Sequence, residues 1–280
     1  MKRLAPSVTA AGVAFFLLAL LTTTSGLPAQ LFGLSERQEI ELGRQAAAQI
    51  EQQLPILEDQ RVESYIDDLG QFLVEYSGRT NIVYQFKVVD SSDINAFALP
   101  GGFIYVNRGL IEEADNESEL IGVLAHEIGH VVERHSVDQV KRAQLTGLGL
   151  GVLDMFIGGK GATGELANIA GQMVASGAFM KFSRDAEREA DRVGALNVYD
   201  AGWVPRGMIT FFQKLDALRE SRPNAIENFF SSHPNPDERA HNISELIASF
   251  PVDSTLRKDS ERFHEIRSLL ESMSPPPISR

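Results

Sequence analysis

The sequence predicts an α+β fold, mostly helical, with one small sheet. Three observations predict it. Apolar residues recur at helical spacing over residues 35–77 and again from Asn116 onward. β-Branched and aromatic residues gather in one patch over residues 81–107, and no repeat of roughly 20–50 residues marks a solenoid. The 280 residues are 43% hydrophobic, ample for the core of one large domain or two small ones. A net charge of −12 argues against nucleic acid as a partner, because phosphate binding needs a surplus of Lys and Arg.

The first element stands apart from the rest. In "MKRLAPSVTAAGVAFFLLALLTTTSGLPAQ", Lys2 and Arg3 precede an apolar stretch from Val13 to Leu21, and small and polar residues follow. That is the layout of a secretory signal peptide over residues 1–29, cut after Ala29, so the chain is expected to be exported to the periplasm. The alternative is an uncleaved N-terminal anchor, for which the apolar core is short of the roughly 20 residues a membrane span needs. The chain has no cysteine, so neither a disulfide framework nor a lipidated cysteine is expected.

Past the signal, Ile40, Leu42, Ile50, Leu54, Val62, Ile66, Leu69, Leu73 and Val74 recur at helical spacing among Glu and Gln. Pro55 divides that stretch into two helices, since proline breaks a helix interior. "NIVYQFKVVD" (81–90) then reads as a strand. "NAFALPGGFIYVN" (95–107) reads as a hairpin whose glycines supply the positive φ of a tight turn. Asn116 and Glu119 fit a capping box that would open the next helix. A C-terminal helix and a disordered "SPPPISR" tail close the chain.

The helix opened at Asn116 carries "LAHEIGHVVERHS" (124–136), which holds three of the six histidines. His126 and His130 are four residues apart and share one helical face, so the two imidazoles can clamp one metal ion. Glu127 lies about a quarter turn away, within reach of a water on that metal. This is the His-Glu-x-x-His pattern of a zinc-protease helix, with the glutamate as general base. Leu120, Ile121, Val123, Leu124, Ile128, Val131 and Val132 make the helix apolar nearly all round, hence buried. Burying histidines and a glutamate there requires a cation or hydrogen bonds in compensation.

A catalytic zinc site takes three protein ligands, and the segment suited to supply the third is "FSRDAEREADRVG" (182–194). Glu187 and Asp191 share a face and Glu189 points away. Glu187 can bind the metal, and Asp191 can accept a hydrogen bond from a ligating histidine and fix its tautomer. Taken alone, the same segment also reads as a solvated helix of alternating Arg and acidic residues.

Together with "SSHPNPDERAHNI" (231–243), these motifs closely resemble the M48 family of zinc metallopeptidases over roughly residues 35–250. The resemblance implies one Zn²⁺ per chain on His126, His130 and Glu187, with Glu127 as general base. It matches Asp191 to the family's Glu-x-x-Ala-Asp aspartate, sometimes assigned as proton donor; support of a ligating histidine is the role favoured here. It implies a predominantly helical, zincin-like fold with a small sheet at the active-site cleft, where the strand in "NAFALPGGFIYVNRGL" can pair with an extended substrate. Arg239 matches the family's arginine, and His233 its histidine.

A lone loop histidine is usually a surface group, but Pro234 and Pro236 restrict the backbone around His233 more than that around His241 or His264. The sequence also offers no other evident donor for the oxyanion. His233 is therefore expected to face the zinc, either as oxyanion donor or as a fourth ligand that silences the resting enzyme.

The chain departs from its family in two respects. Several members span the membrane repeatedly, whereas the apolar segment 146–180 is interrupted by Asp154, Lys160 and Glu165. Others carry a C-terminal helical-repeat domain, which is not expected here. The expectation is a compact exported form: signal 1–29, metallopeptidase domain 30–250, and a helix with tail over 251–280. The glycine-rich 146–180 segment, set between the two metal motifs, is expected to act as a gate over the cleft. Expected partners are misfolded or unassembled envelope polypeptides, with peripheral contact with a membrane. A zinc-binding chaperone or adaptor with little turnover is the alternative carrying the same motifs.

Overall fold

The computed structural model describes residues 34–145, 181–234 and 236–276. The proposed signal peptide, the proposed gate at 146–180 and the last four residues of the tail lie outside the described residues. Helix α1 (Glu36–Gln53) opens on a capping box between Ser35 and Gln38, and Leu54 leaves it in extended conformation. The residue before a proline is pushed out of helical geometry, which is how Pro55 ends α1. Asp59 then caps α2 (Gln60–Glu75) by accepting from the Arg61 amide.

The sheet holds β1 (Gln85–Val89), β2 (Ala96–Leu99) and β3 (Phe103–Asn107) in the order β1-β3-β2. β2 and β3 form the expected antiparallel hairpin, with Gly101 and Gly102 turning at φ +75° and +98°. β1 runs parallel to β3. Side chains alternate between two cores. Ala96, Ala98, Ile104 and Val106 face the main cluster with α2 and α4 (Glu117–Val132), whereas Phe97, Leu99, Phe103 and Tyr105 face α1 and α5 (His135–Leu145).

Short helix α3 (Arg108–Glu113) leads into α4, which is buried from Glu117 to Val131. The capping box expected at its start does not form. Asn116 is the cap residue, but its Oδ1 accepts from the Ser118 hydroxyl at 2.6 Å, and Glu119 reaches back to the Asp115 amide. The amides of Glu117 and Ser118 instead donate to Asp259 Oδ1 and the Lys258 carbonyl, from a segment some 140 residues downstream. A tertiary cap has replaced the local one.

After α4 and α5 come α6 (Arg184–Asp200), α7 (Arg206–Leu218), α8 (Pro223–Ser232), α9 (Pro236–Ala248) and α10 (Glu261–Ser272). α6 and α7 both pack on α4. α10 buries Phe263, Ile266 and Leu270 in the main cluster. Among the described residues, no helix is long and apolar enough to cross a membrane.

Candidate metal centre

α4 brings His126, Glu127 and His130 to the face covered by α6, which carries Glu187 and Asp191. His233, the cap residue that follows α8 and precedes Pro234, joins them, its amide donating to the Phe229 carbonyl at 2.7 Å. All six residues are buried. His126 Nε2 lies 3.0 Å from His130 Nε2, 3.3 Å from His233 Nδ1 and 3.5 Å from Glu187 Oε2. Glu187 Oε1 is 3.4 Å from His130 Nε2, and Glu187 Oε2 is 3.2 Å from His233 Nδ1.

That spacing fits a cation. Atoms about 2.0–2.1 Å from a tetrahedral zinc stand roughly 3.3–3.4 Å apart, and the separations here run from 3.0 to 3.5 Å. His126, His130, Glu187 and His233 each offer one ligand atom, all within 4.8 Å of one another. Glu187 Oε1 and Glu127 Oε2 are buried without a hydrogen-bond partner among the described residues. Such orphaned acceptors are costly unless a cation or a donor engages them.

The surroundings polarise these groups in opposite directions. Burial pushes the Glu127 carboxyl up, against the pull of His233 and His126, as suits a proton acceptor. Burial also holds His130 well below the usual imidazole value. For His126, burial and the Arg239 charge oppose protonation, yet the hydrogen bonds to Asp191 and Glu187 prevail and raise it to about 9. Burial opposes ionisation of Glu187 and Asp191, but Arg239 outweighs it. Glu187 falls well below its ordinary value, and Asp191 falls to about 2.

Arg239, on α9, organises the acidic side. Its Nε and Nη2 donate to Asp191 Oδ2 and Oδ1 at 2.8 and 2.7 Å, and its Nη1 is 2.9 Å from Glu187 Oε2. The guanidinium sits 4.3 Å over the Phe212 ring. Asp191 Oδ1 is also 2.9 Å from His126 Nδ1. Arg239 Nη2 also lies 3.1 Å from the same nitrogen, but a carboxylate can only accept, so the 2.9 Å contact is read as Nδ1–H of His126 donating to Asp191.

The sequence reading missed two participants. His135 was counted in the motif without a role, and its Nδ1 lies 2.9 Å from His130 Nδ1. Phe182 stacks on the His130 ring, centroids 3.8 Å apart. Glu189 is exposed as expected, yet Oε2 is 3.1 Å from His135 Nε2. Asp191 contacts His126 and Arg239. His241 and His264 stay at the surface beside Glu245 and Asp259.

A family model described as "Peptidase family M48" matches residues 57–247. The chain is 34% identical over 218 residues to the "Beta-barrel assembly-enhancing protease" of Escherichia coli K12, covering 74% of this chain and 43% of that protein. It is 36% identical over 232 residues to the Yersinia pestis protein of the same name, covering 79% and 47%. "Metalloprotease YcaL" of Escherichia coli K12 matches at 33% over 165 residues, covering 59% and 62%. The chain thus spans less than half the length of the first two relatives.

Proposed function

The chain belongs to peptidase family M48, and from that premise we propose that it is an exported zinc endopeptidase acting on extended, misfolded or unassembled polypeptides. The observation that carries this reading is the buried set of four ligand atoms with Glu127 beside it. His126, His130 and Glu187 would hold the ion, and Asp191 would orient His126. Zinc bound there supplies Lewis acidity toward the scissile carbonyl and toward water.

The residues of the chain do the rest. The Glu127 carboxylate takes a proton from the attacking water and passes it to the leaving amine. Burial raises its basicity for that task. Among the described residues β2 pairs with β3 alone and packs beside α4, so its other edge is free to align an extended substrate by main-chain hydrogen bonds.

The relatives' name, beta-barrel assembly-enhancing protease, supports envelope proteins as the substrate class, and the N-terminal signal layout supports the periplasm. His233 Nδ1 lies 3.3 Å from His126 Nε2 and 3.2 Å from Glu187 Oε2, among the other candidate ligand atoms, which supports the silencing role over the oxyanion role. The test pairs two measurements: zinc content of the purified protein and cleavage of an unfolded substrate such as casein. Glu127→Gln should retain zinc and lose cleavage. Undiminished cleavage by that variant would remove Glu127 as general base. A wild-type protein that binds zinc without cleaving, and whose His233→Ala variant does not cleave either, would favour the adaptor.

A further inference from the structure

The two nitrogens of His130 keep different company. Nε2 faces the ligand atoms of His126 and Glu187 at 3.0 and 3.4 Å, and Nδ1 meets His135 Nδ1 at 2.9 Å. His135 Nε2 in turn lies 3.1 Å from Glu189 Oε2. A carboxylate can only accept, so Nε2 of His135 carries the hydrogen of that bond. In a neutral imidazole Nδ1 is then a bare acceptor, and the hydrogen between the two rings belongs to His130 Nδ1. His130 Nε2 is left as a bare lone pair. On the other side, the neutral ring of His126, donating from Nδ1 to Asp191, would likewise present Nε2 as an acceptor, 3.0 Å from His130 Nε2.

The backbone is bent to make this contact. Arg134 sits at φ +58°, the single described non-glycine residue with positive φ, and its amide bonds back to the Val131 carbonyl. That turn ends α4 and starts α5 at His135, so a residue five positions after His130 reaches its ring. Left-handed backbone is unfavourable for a residue with a Cβ and persists only where its surroundings fix it. They do so here. Arg134 Nε donates to Glu39 Oε2 at 2.7 Å and Nη2 to the Leu34 carbonyl at 2.8 Å, while fully buried Glu39 is also held by Arg79. Phe182 closes the opposite face of the His130 ring.

We propose that His135 and Glu189 are positioning residues, a relay in which Glu189 fixes His135 and His135 fixes His130 with its Nε2 lone pair toward the metal. The inference rests on the zinc-site reading above and extends it by two residues that touch no ligand position. Acceptors behind a ligating histidine raise metal affinity by holding ring and tautomer, and their loss typically costs roughly 10–100-fold.

The experiment measures zinc affinity by competition with a chromophoric chelator, and the His130 tautomer from ¹⁵N shifts of the zinc-free protein. His135→Leu should lower affinity by roughly 10–100-fold and leave His130 a mixture of tautomers. His135→Asn, whose side-chain oxygen can stand where Nδ1 stood, should recover most of the loss. Glu189→Ala should cost less than His135→Leu and nothing further in the His135→Leu background, because it acts through that ring. Wild-type affinity in His135→Leu, a fully additive double variant, or hydrogen on His130 Nε2 in the wild type would each overturn the relay. Should His135→Leu not fold, His135→Asn and Glu189→Ala carry the tautomer measurement. Glu187→Ala is the control: if it keeps zinc, the metal site itself is misread, and if it alone loses zinc, only the relay falls.

Discussion

Gly129 on α4 and Ala190 on α6 meet with their backbones nearly in contact: a Cβ at 129 would stand 2.8 Å from the Ala190 carbonyl oxygen. One turn along, a Cβ at Gly194 would stand 3.1 Å from Ala125. These two close approaches let the helices cross near enough for Glu187 and Asp191 to reach the histidines. Gly129→Ala gains about 1 kcal/mol of helix propensity but must part the helices, at a cost of about 1–3 kcal/mol. The expected outcome is weaker zinc binding together with lower stability. A Gly129→Ala protein with wild-type zinc affinity would show that the crossing does not set the ligand spacing.

Arg239 is the buried cation that faces both Asp191 and Glu187. Arg239→Leu leaves two buried carboxylates without it, and breaking a buried pair from one side typically costs about 3–5 kcal/mol. Zinc would compensate Glu187 in part. Denaturant unfolding should therefore show a larger gap between variant and wild type without zinc than with it. An equal gap under both conditions would mean that Arg239 and the metal do not share the Glu187 charge.

Asp259 caps α4 from a distance, through the Glu117 amide at 3.0 Å. Burial works against its charge, but that bond and His264 hold its pKa below the usual 3.8. The folded value is depressed, so its stabilisation is present above the unfolded pKa and is lost as pH falls through the folded one. Asp259→Ala should cost about 1 kcal/mol at neutral pH, as other cap removals do. The difference from wild type should close below about pH 4. A difference that is constant from neutral pH to pH 3 would place the cap in packing and not in charge.

Much of this fold is written at short range. Pro55, the Pro100-Gly101-Gly102 turn and the four-residue spacings His126/His130 and Glu187/Asp191 are local signals, and each maps onto a local element. What the sequence hid depends on contacts far along the chain. The cap on α4 comes from Lys258 and Asp259, so the Asn116/Glu119 pattern misled. His135 reaches His130 only because Arg134 takes a left-handed conformation held by Glu39, 95 residues earlier, and nothing in the spacing announces that. Glu189 does point away from the ligands as its register requires, but towards a partner that the register could not name.

His233 carries the last prediction. The sequence left it two roles, and they differ in sign. Its Nδ1 lies 3.3 Å from His126 Nε2 and 3.2 Å from Glu187 Oε2, the same separations the other ligand atoms keep. With an ion bound among these atoms, His233 would take a position that a substrate carbonyl or a water would otherwise use. Phe229 packs against the ring, and the bond from the His233 amide to the Phe229 carbonyl ties it to the end of α8. Releasing it then requires α8 to shift or the side chain to change rotamer. His233→Ala should retain zinc through the three other ligands, admit an exogenous ligand such as a hydroxamate more tightly, and raise the rate of casein cleavage. If His233 instead donates to the oxyanion, the same variant should lose roughly 10²–10³ in turnover, and a fall of that size would end the silencing reading.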